Sequence, residues 1–126
     1  MNKFQYAHRF WQAIAAQERE ALRAFFCPDG RIRWHCTNEE FSVEEFLCAN
    51  CDYPGQWEGS VERILPTEDG MVTVAQVRDV ETGSTFHAVS FFQMEGERIR
   101  LLEEYWADDG PPPSWRQALK LGRPIK

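Results

Sequence analysis

The sequence predicts an α+β domain in which a curved, cone-shaped antiparallel sheet wraps around a long N-terminal helix. Three observations carry that prediction. Apolar residues recur at helical spacing over residues 3–26, a capping signature near Ser42 opens a second, shorter helix, and the chain from Gln56 to Trp106 alternates as strands between turn residues. Helices first and a strand meander afterwards is the order of an α+β fold. A cone of this kind leaves a pocket at its open end.

The first helix is read from Phe4, Ala7, Trp11, Ile14, Ala15, Glu18, Leu22, Phe25 and Phe26, and Cys27-Pro28-Asp29-Gly30 ends it. Arg31–Cys36 alternates like a short strand, and Thr37–Glu40 supplies a turn or helix start. Ser42 with Glu45 three residues later forms a capping box for a helix of about two turns. Tyr53-Pro54-Gly55 stops it. Four strands follow, Trp57–Leu65, Met71–Val80, Ser84–Met94 and Arg98–Trp106, joined at Glu68-Asp69-Gly70, Thr82-Gly83 and Glu95-Gly96. Residues 1–109 thus form one domain, and 110–126 a Pro-rich tail that packs on the domain or on a dimer partner.

The 126 residues suffice for one hydrophobic core. Five Trp and nine Phe are more aromatic surface than a minimal core needs and point towards a cavity wall. A formal net charge of -6 without any Lys/Arg cluster argues against nucleic acid and anionic membranes as partners. MNKFQYAHRF lacks a signal-peptide core and no run has transmembrane length, so the expected compartment is the cytoplasm. Cys27, Cys36, Cys48 and Cys51 offer only one close pair, Cys48-Ala-Asn-Cys51, at the C-terminal end of a helix, where the dipole does not activate a thiol. Reduced thiols, no metal and no cofactor are expected.

Pairing across Glu95-Gly96 sets Met94 opposite Glu97, Phe91 opposite Arg100, Val89 opposite Leu102 and His87 opposite Glu104. Opposed residues share a face with Cβ atoms about 5 Å apart, so His87 and Glu104 would touch, with Trp106 beside them. Pairing through Thr82-Gly83 adds Arg78 opposite His87 and Gln76 opposite Val89.

The order of elements, together with FFCPDGRIRW, YPGQW and FHAVSFFQMEGERIRLLEEYWADD, resembles the nuclear transport factor 2-like superfamily in its SnoaL-like or ketosteroid-isomerase-like branch. WHCTNEEF, ANCDYPGQW and PPPSWR resemble bacterial members without a settled activity. The resemblance implies a cystatin-like α+β barrel and a homodimer. Steroid isomerases of this fold use a carboxylate base and an oxyanion hole of Tyr and protonated Asp. An ungapped alignment with them puts Trp34 at the base, Phe10 at the Tyr and Val89 at the Asp, so their mechanism is not expected here.

That alignment turns Val89 and Trp106 to the cavity, and alternation brings His87, Phe91, Leu102 and Glu104 with them. Thr73, Ala75, Val77, Ala88, Ser90 and Phe92 would form the outer face. His87 then becomes a general acid or base oriented by Glu104, suited to proton transfer in an isomerase, dehydratase or cyclase. Trp34, Trp106, Phe10, Val89, Phe91, Leu102, Tyr53, Arg78 and Gln76 would line the site of a small hydrophobic or aromatic ligand. The residues leave two further readings open: His87 and Glu104 as a fold-specifying polar pair in a non-catalytic ligand-binding protein, or a dimerisation module using the outer face of the sheet.

Overall fold

The computed structural model describes all 126 residues. Its first helix, α1 (Lys3–Ala16), begins with a capping box in which the Asn2 side chain accepts from the Gln5 backbone N–H and the Asn2 N–H donates to Gln5 Oε1. Apolar periodicity continues to Phe26, yet the helix stops at Gln17, which sits in the left-handed region at φ 55°. That conformation costs a non-glycine residue about 1–2 kcal/mol. The Gln17 amide offsets it by donating to the carbonyls of Asn50 (2.9 Å) and Tyr53 (2.6 Å) at the end of α3 (Val43–Cys51), and Asn50 donates to the Ile14 carbonyl at 3.1 Å. The single helix expected over 3–26 is therefore two, α1 and α2 (Arg19–Phe25), because side-chain bonds to α3 hold the break open.

β1 (Phe26–Trp34) starts earlier than expected and is irregular up to Arg31, where Pro28 lacks a ladder donor. Thr37–Glu40 is expected as a turn or helix start, but Glu39–Ser42 is strand β2, paired antiparallel to β1 and tied by Arg33 to Glu40 at 2.8 Å. The Ser42–Glu45 capping box opens α3 as expected. β3 (Trp57–Thr67), β4 (Gly70–Asp79), β5 (Thr85–Glu95) and β6 (Arg98–Asp108) match the four expected strands within about two residues. A short α4 (Ser114–Ala118) lies in the exposed tail.

The six strands make one curved, unclosed sheet in the order β2-β1-β6-β5-β4-β3. All neighbours are antiparallel except β1 and β6, which run parallel and set Trp34 beside Glu104. The core lies between the inner face of the sheet and the helices. Phe10 and Trp11 of α1, Leu22 of α2 and Phe46 and Leu47 of α3 pack there against Met71, Ala75, Val77, Phe92, Ile99 and Leu102. No helix is long and apolar enough to cross a membrane.

The β5–β6 register differs from the expected one, with consequences for the site. The turn is Gly96-Glu97, with Glu95 opposite Arg98 and Gly96 at φ 62°, the sign pattern of a type II′ turn with glycine first. This displaces the pairing by two residues, which preserves the faces. Arg100 then bulges, since Met94 pairs Ile99 while Gln93 pairs Leu101, and that third residue exchanges them. Glu104 consequently faces Ser90, and His87 faces Ala107. Thr73, Ala75, Val77, Ala88, Ser90 and Phe92, expected outside, are buried on the inner face. His87, Val89 and Phe91, expected inside, lie on the outer one. The β4–β5 register also slips, but by two, so Gln76 opposes His87 and Arg78 opposes Thr85.

Candidate functional site

At the open end of the sheet is a pocket of about 650 Å³, bounded by the C-terminal ends of α1, α3 and β6, the β4–β5 loop, and Trp34 at the end of β1. Its wall is a run of aromatic rings. Trp34 meets Trp106 edge-on with centroids 6.1 Å apart, Trp106 lies 6.1 Å from Phe86, Phe86 lies 6.2 Å from Trp57, and Trp57 lies 5.4 Å from Tyr53. Trp11, Ile14 and Ala15 bring the edge of α1 to the same space. Trp57 enters it from the first residue of β3, and its indole Nε1, buried, has no hydrogen-bond partner.

The chemistry is concentrated at the pocket floor. Glu104 is buried on the inner face of β6, where the Ser90 hydroxyl donates to Oε2 at 2.6 Å and the Trp34 indole N–H donates to Oε1 at 3.1 Å. Burial pushes its carboxyl above the usual glutamate range, and the two donors only partly oppose this, because no cation stands beside it. A carboxyl in this setting holds its proton to higher pH than an exposed one and is able to give or take a proton at the cavity. Asp79, Asp108 and Asp109 border the mouth.

Asp109 links this mouth to the outer face. Burial raises its carboxyl, but the Thr85 hydroxyl at 2.6 Å, His87 Nδ1 at 2.5 Å and the Gln76 amide at 3.4 Å outweigh that and hold it below the ordinary aspartate value. His87 in turn is raised chiefly by Asp109, against burial, with Glu62 at 2.9 Å from Nε2 adding to the rise. Lys126 reaches the same Glu62 at 3.0 Å.

A second hollow of about 720 Å³ lies at the opposite end of the strands, between the start of α1 and the two turns at Glu68–Gly70 and Gly96–Arg98. Its charges, Lys3, Arg9, Glu68, Asp69, Glu97 and Arg98, are all exposed, and its inner polar group, the Tyr6 hydroxyl, is spent on the Phe25 carbonyl at 3.1 Å. Of these two hollows, the open-end pocket is the one that holds a buried carboxyl, Glu104.

No family model matches the sequence, and no curated protein does. Solved structures are informative. A candidate ketosteroid isomerase of Kribbella flavida superposes with a TM-score of 0.77 at 20% identity, covering 97% of this chain and 90% of its own. A nuclear transport factor 2-like protein of unknown function from Burkholderia xenovorans gives 0.76 at 18%, covering 98% and 94%. The chain has the nuclear transport factor 2-like fold. A third neighbour, a ketosteroid-isomerase-like protein of Catenulispora acidiphila in complex with trimethylamine, gives 0.70 at 13%, covering 82% and 86%. Neighbours of this kind include enzymes and proteins of unknown function, so the likeness establishes the fold and leaves chemistry to the site.

Within this fold, Trp34, Trp106, Tyr53 and Glu104 come together at the pocket. The others do not join them. Phe10 is enclosed among Trp11, Phe25, Phe26 and Phe92, and Leu102 is fully buried in the core. Gln76, Arg78, Val89 and Phe91 lie on the outer face, where Arg78 pairs with Glu58 at 3.4 Å and Phe91 packs edge-on to Tyr105. His87 touches the pocket only through Asp109. The inward positions on either side of Val89 are held by Ala88 and Ser90, so the cavity-facing placement that the isomerase alignment gave Val89 is not the one observed. Sequence reasoning missed Trp57, Phe86 and Trp11 as pocket residues, and Ser90 as the buried partner of Glu104. Trp11 carried a signal, since the helical stripe that buries Ala7, Ala15 and Leu22 also turns it inward; Ser90 carried none without the Arg100 bulge.

Proposed function

We propose that this chain binds a small molecule in the aromatic pocket and that Glu104, rather than a His87–Glu104 pair, gives or takes a proton there, as in an isomerase, dehydratase or cyclase. One observation carries the reading: a buried carboxyl without a cation partner lies at a cavity walled by Trp34, Trp57, Phe86 and Trp106. A pocket of this kind also suits a non-catalytic binder, and the neighbour holding trimethylamine supports occupation by a small ligand. His87 serves as a positioning residue for Asp109 at the mouth. The four cysteines, all free, fit a reducing cytoplasm.

The outer face supports a homodimer. Phe91 and Tyr105 are 45% and 46% exposed in its middle, with Val72, Val74, Val89 and Leu101 half-buried around them, and a patch of this kind calls for a cover. The exposed tail, with Trp115, Leu119 and Leu121, would add to that contact. Light scattering of the wild type and of Phe91→Lys should show a dimer and a monomer respectively; a monomeric wild type removes this part of the reading.

Indole ¹⁵N–¹H resonances test the pocket itself. Small aromatic and amine fragments should move the Trp34, Trp57 and Trp106 signals and leave Trp115, which is 63% exposed and does not line the pocket, in place. Fragments that move Trp115 alone, or none, would contradict the assignment of the site.

A further inference from the structure

The pocket's charge is one-sided. Of the 21 residues that line it, four are carboxylic acids, Asp79, Glu104, Asp108 and Asp109, and none is Lys, Arg or His. A buried carboxylate without a counter-charge is costly, because two hydrogen bonds do not replace the water and cation it has lost. The wall around it is aromatic, and the π-face of any ring that borders the volume attracts positive charge and repels negative. Both features disfavour an anion and leave a neutral ligand without the missing charge. A cation supplies it.

We propose that the pocket selects a small organic cation, an alkylated amine or quaternary ammonium carrying an apolar arm, held by the rings of Trp34, Trp106, Phe86 and Trp57 with Glu104 as its counter-ion. The inference rests on the ligand-pocket reading above and names the class of ligand. Cation–π attraction is strongest where the ion is desolvated over Trp, and Trp supplies three of the four rings. An ammonium with methyl groups carries fewer tightly held waters than a primary amine and gives up less on entering an aromatic wall. Asp79 and Asp108 at the mouth would draw cations towards it from solution. Burial holds the Glu104 proton to higher pH than in an exposed glutamate, so over the range in which that proton is held, entry of a cation displaces it and binding tightens as pH rises.

Choline and 3,3-dimethylbutan-1-ol separate the idea from its alternatives, having the same shape and hydroxyl and differing in whether the centre is a charged nitrogen or a neutral carbon. Calorimetry with wild-type protein and with Glu104→Gln, which keeps both polar contacts of the floor, provides the measurement. The expected result is a Kd for choline about tenfold or more below that of the alcohol, with proton release, and loss of most of that preference in Glu104→Gln. Trp106→Leu should weaken choline more than the alcohol. If the alcohol binds as tightly as choline, or if Glu104→Gln keeps the preference, the cation inference is wrong while the ligand pocket stands. If neither compound nor any neutral aromatic fragment moves the Trp34 and Trp106 resonances, both readings fall together.

Discussion

Glu104→Gln and Glu104→Leu are nearly the same size, yet the structure assigns them different stabilities. Gln at 104 keeps an oxygen for the Trp34 indole and presents an amide N–H to the Ser90 hydroxyl, so both contacts survive, the second with its direction reversed and the Ser90 oxygen accepting. Leu removes both acceptors. Ser90 is wholly buried, and a donor stranded there costs about 1–3 kcal/mol, whereas the Trp34 indole borders the cavity and can turn to water. Glu104→Leu should therefore be about 2 kcal/mol less stable than Glu104→Gln. Adding Ser90→Ala to Glu104→Leu should restore about 1 kcal/mol or more, since an absent donor needs no acceptor.

The pH dependence has a definite sign. Burial raises the folded-state affinity of Glu104 for its proton above the unfolded value near 4.5, so the folded state binds more protons in the interval between the two. The wild type therefore loses stability from this group as pH rises above 4.5 through the folded pKa, and Glu104→Gln does not. Urea unfolding followed by fluorescence at pH 4.5 and pH 8 gives the comparison, with unchanged m-values as the control. Wild type and Glu104→Gln should be close at pH 4.5, with Glu104→Gln the more stable at pH 8. Equal stability of the Gln and Leu variants, or a Gln variant weaker than wild type at pH 8, would refute the reasoning.

Other perturbations address the scaffold. Gln17→Ala keeps the left-handed junction but loses its two bonds to the Asn50 and Tyr53 carbonyls, and should cost about 1–3 kcal/mol and increase hydrogen exchange at the end of α3. Phe10→Ala, at a fully buried position touching four aromatic neighbours, should cost about 3–5 kcal/mol by chemical denaturation. His87 has a raised folded pKa, so its contribution is complete below pH 6.5 and fades as pH rises through that folded value. His87→Gln should flatten stability over that window by less than about 1 kcal/mol, because the ring is partly exposed and screened.

The sequence made the element order readable because local signals state it: helical spacing around Trp11, the Ser42–Glu45 box, and strands cut by Gly70, Gly83 and Gly96. The inward face of β6 was also legible, which is why Glu104 and Trp106 were placed correctly. The faces of β4 and β5 were not. They depend on the one-residue bulge at Arg100, a choice made by tertiary ties: Arg100 pairs with Asp29 at 2.7 Å and with Glu95, neither near it on the strand surface expected from pairing alone. The break at Gln17 was hidden for a similar reason, since its cause lies in α3. His87 looked catalytic because a register wrong by three residues set it against Glu104, whereas Trp34, distant in sequence, is the residue that β1–β6 pairing brings there.

The central claim is that Glu104, joined to Trp34, is the ionisable group of the pocket. The indole Nε1–H resonance of Trp34, followed as a function of pH, reports on that bond directly. It should move with a midpoint above 4.5, keep that midpoint in His87→Ala, and stay still in Glu104→Gln. A midpoint at or below 4.5, or movement that disappears with His87 and persists without the Glu104 carboxyl, would contradict the account.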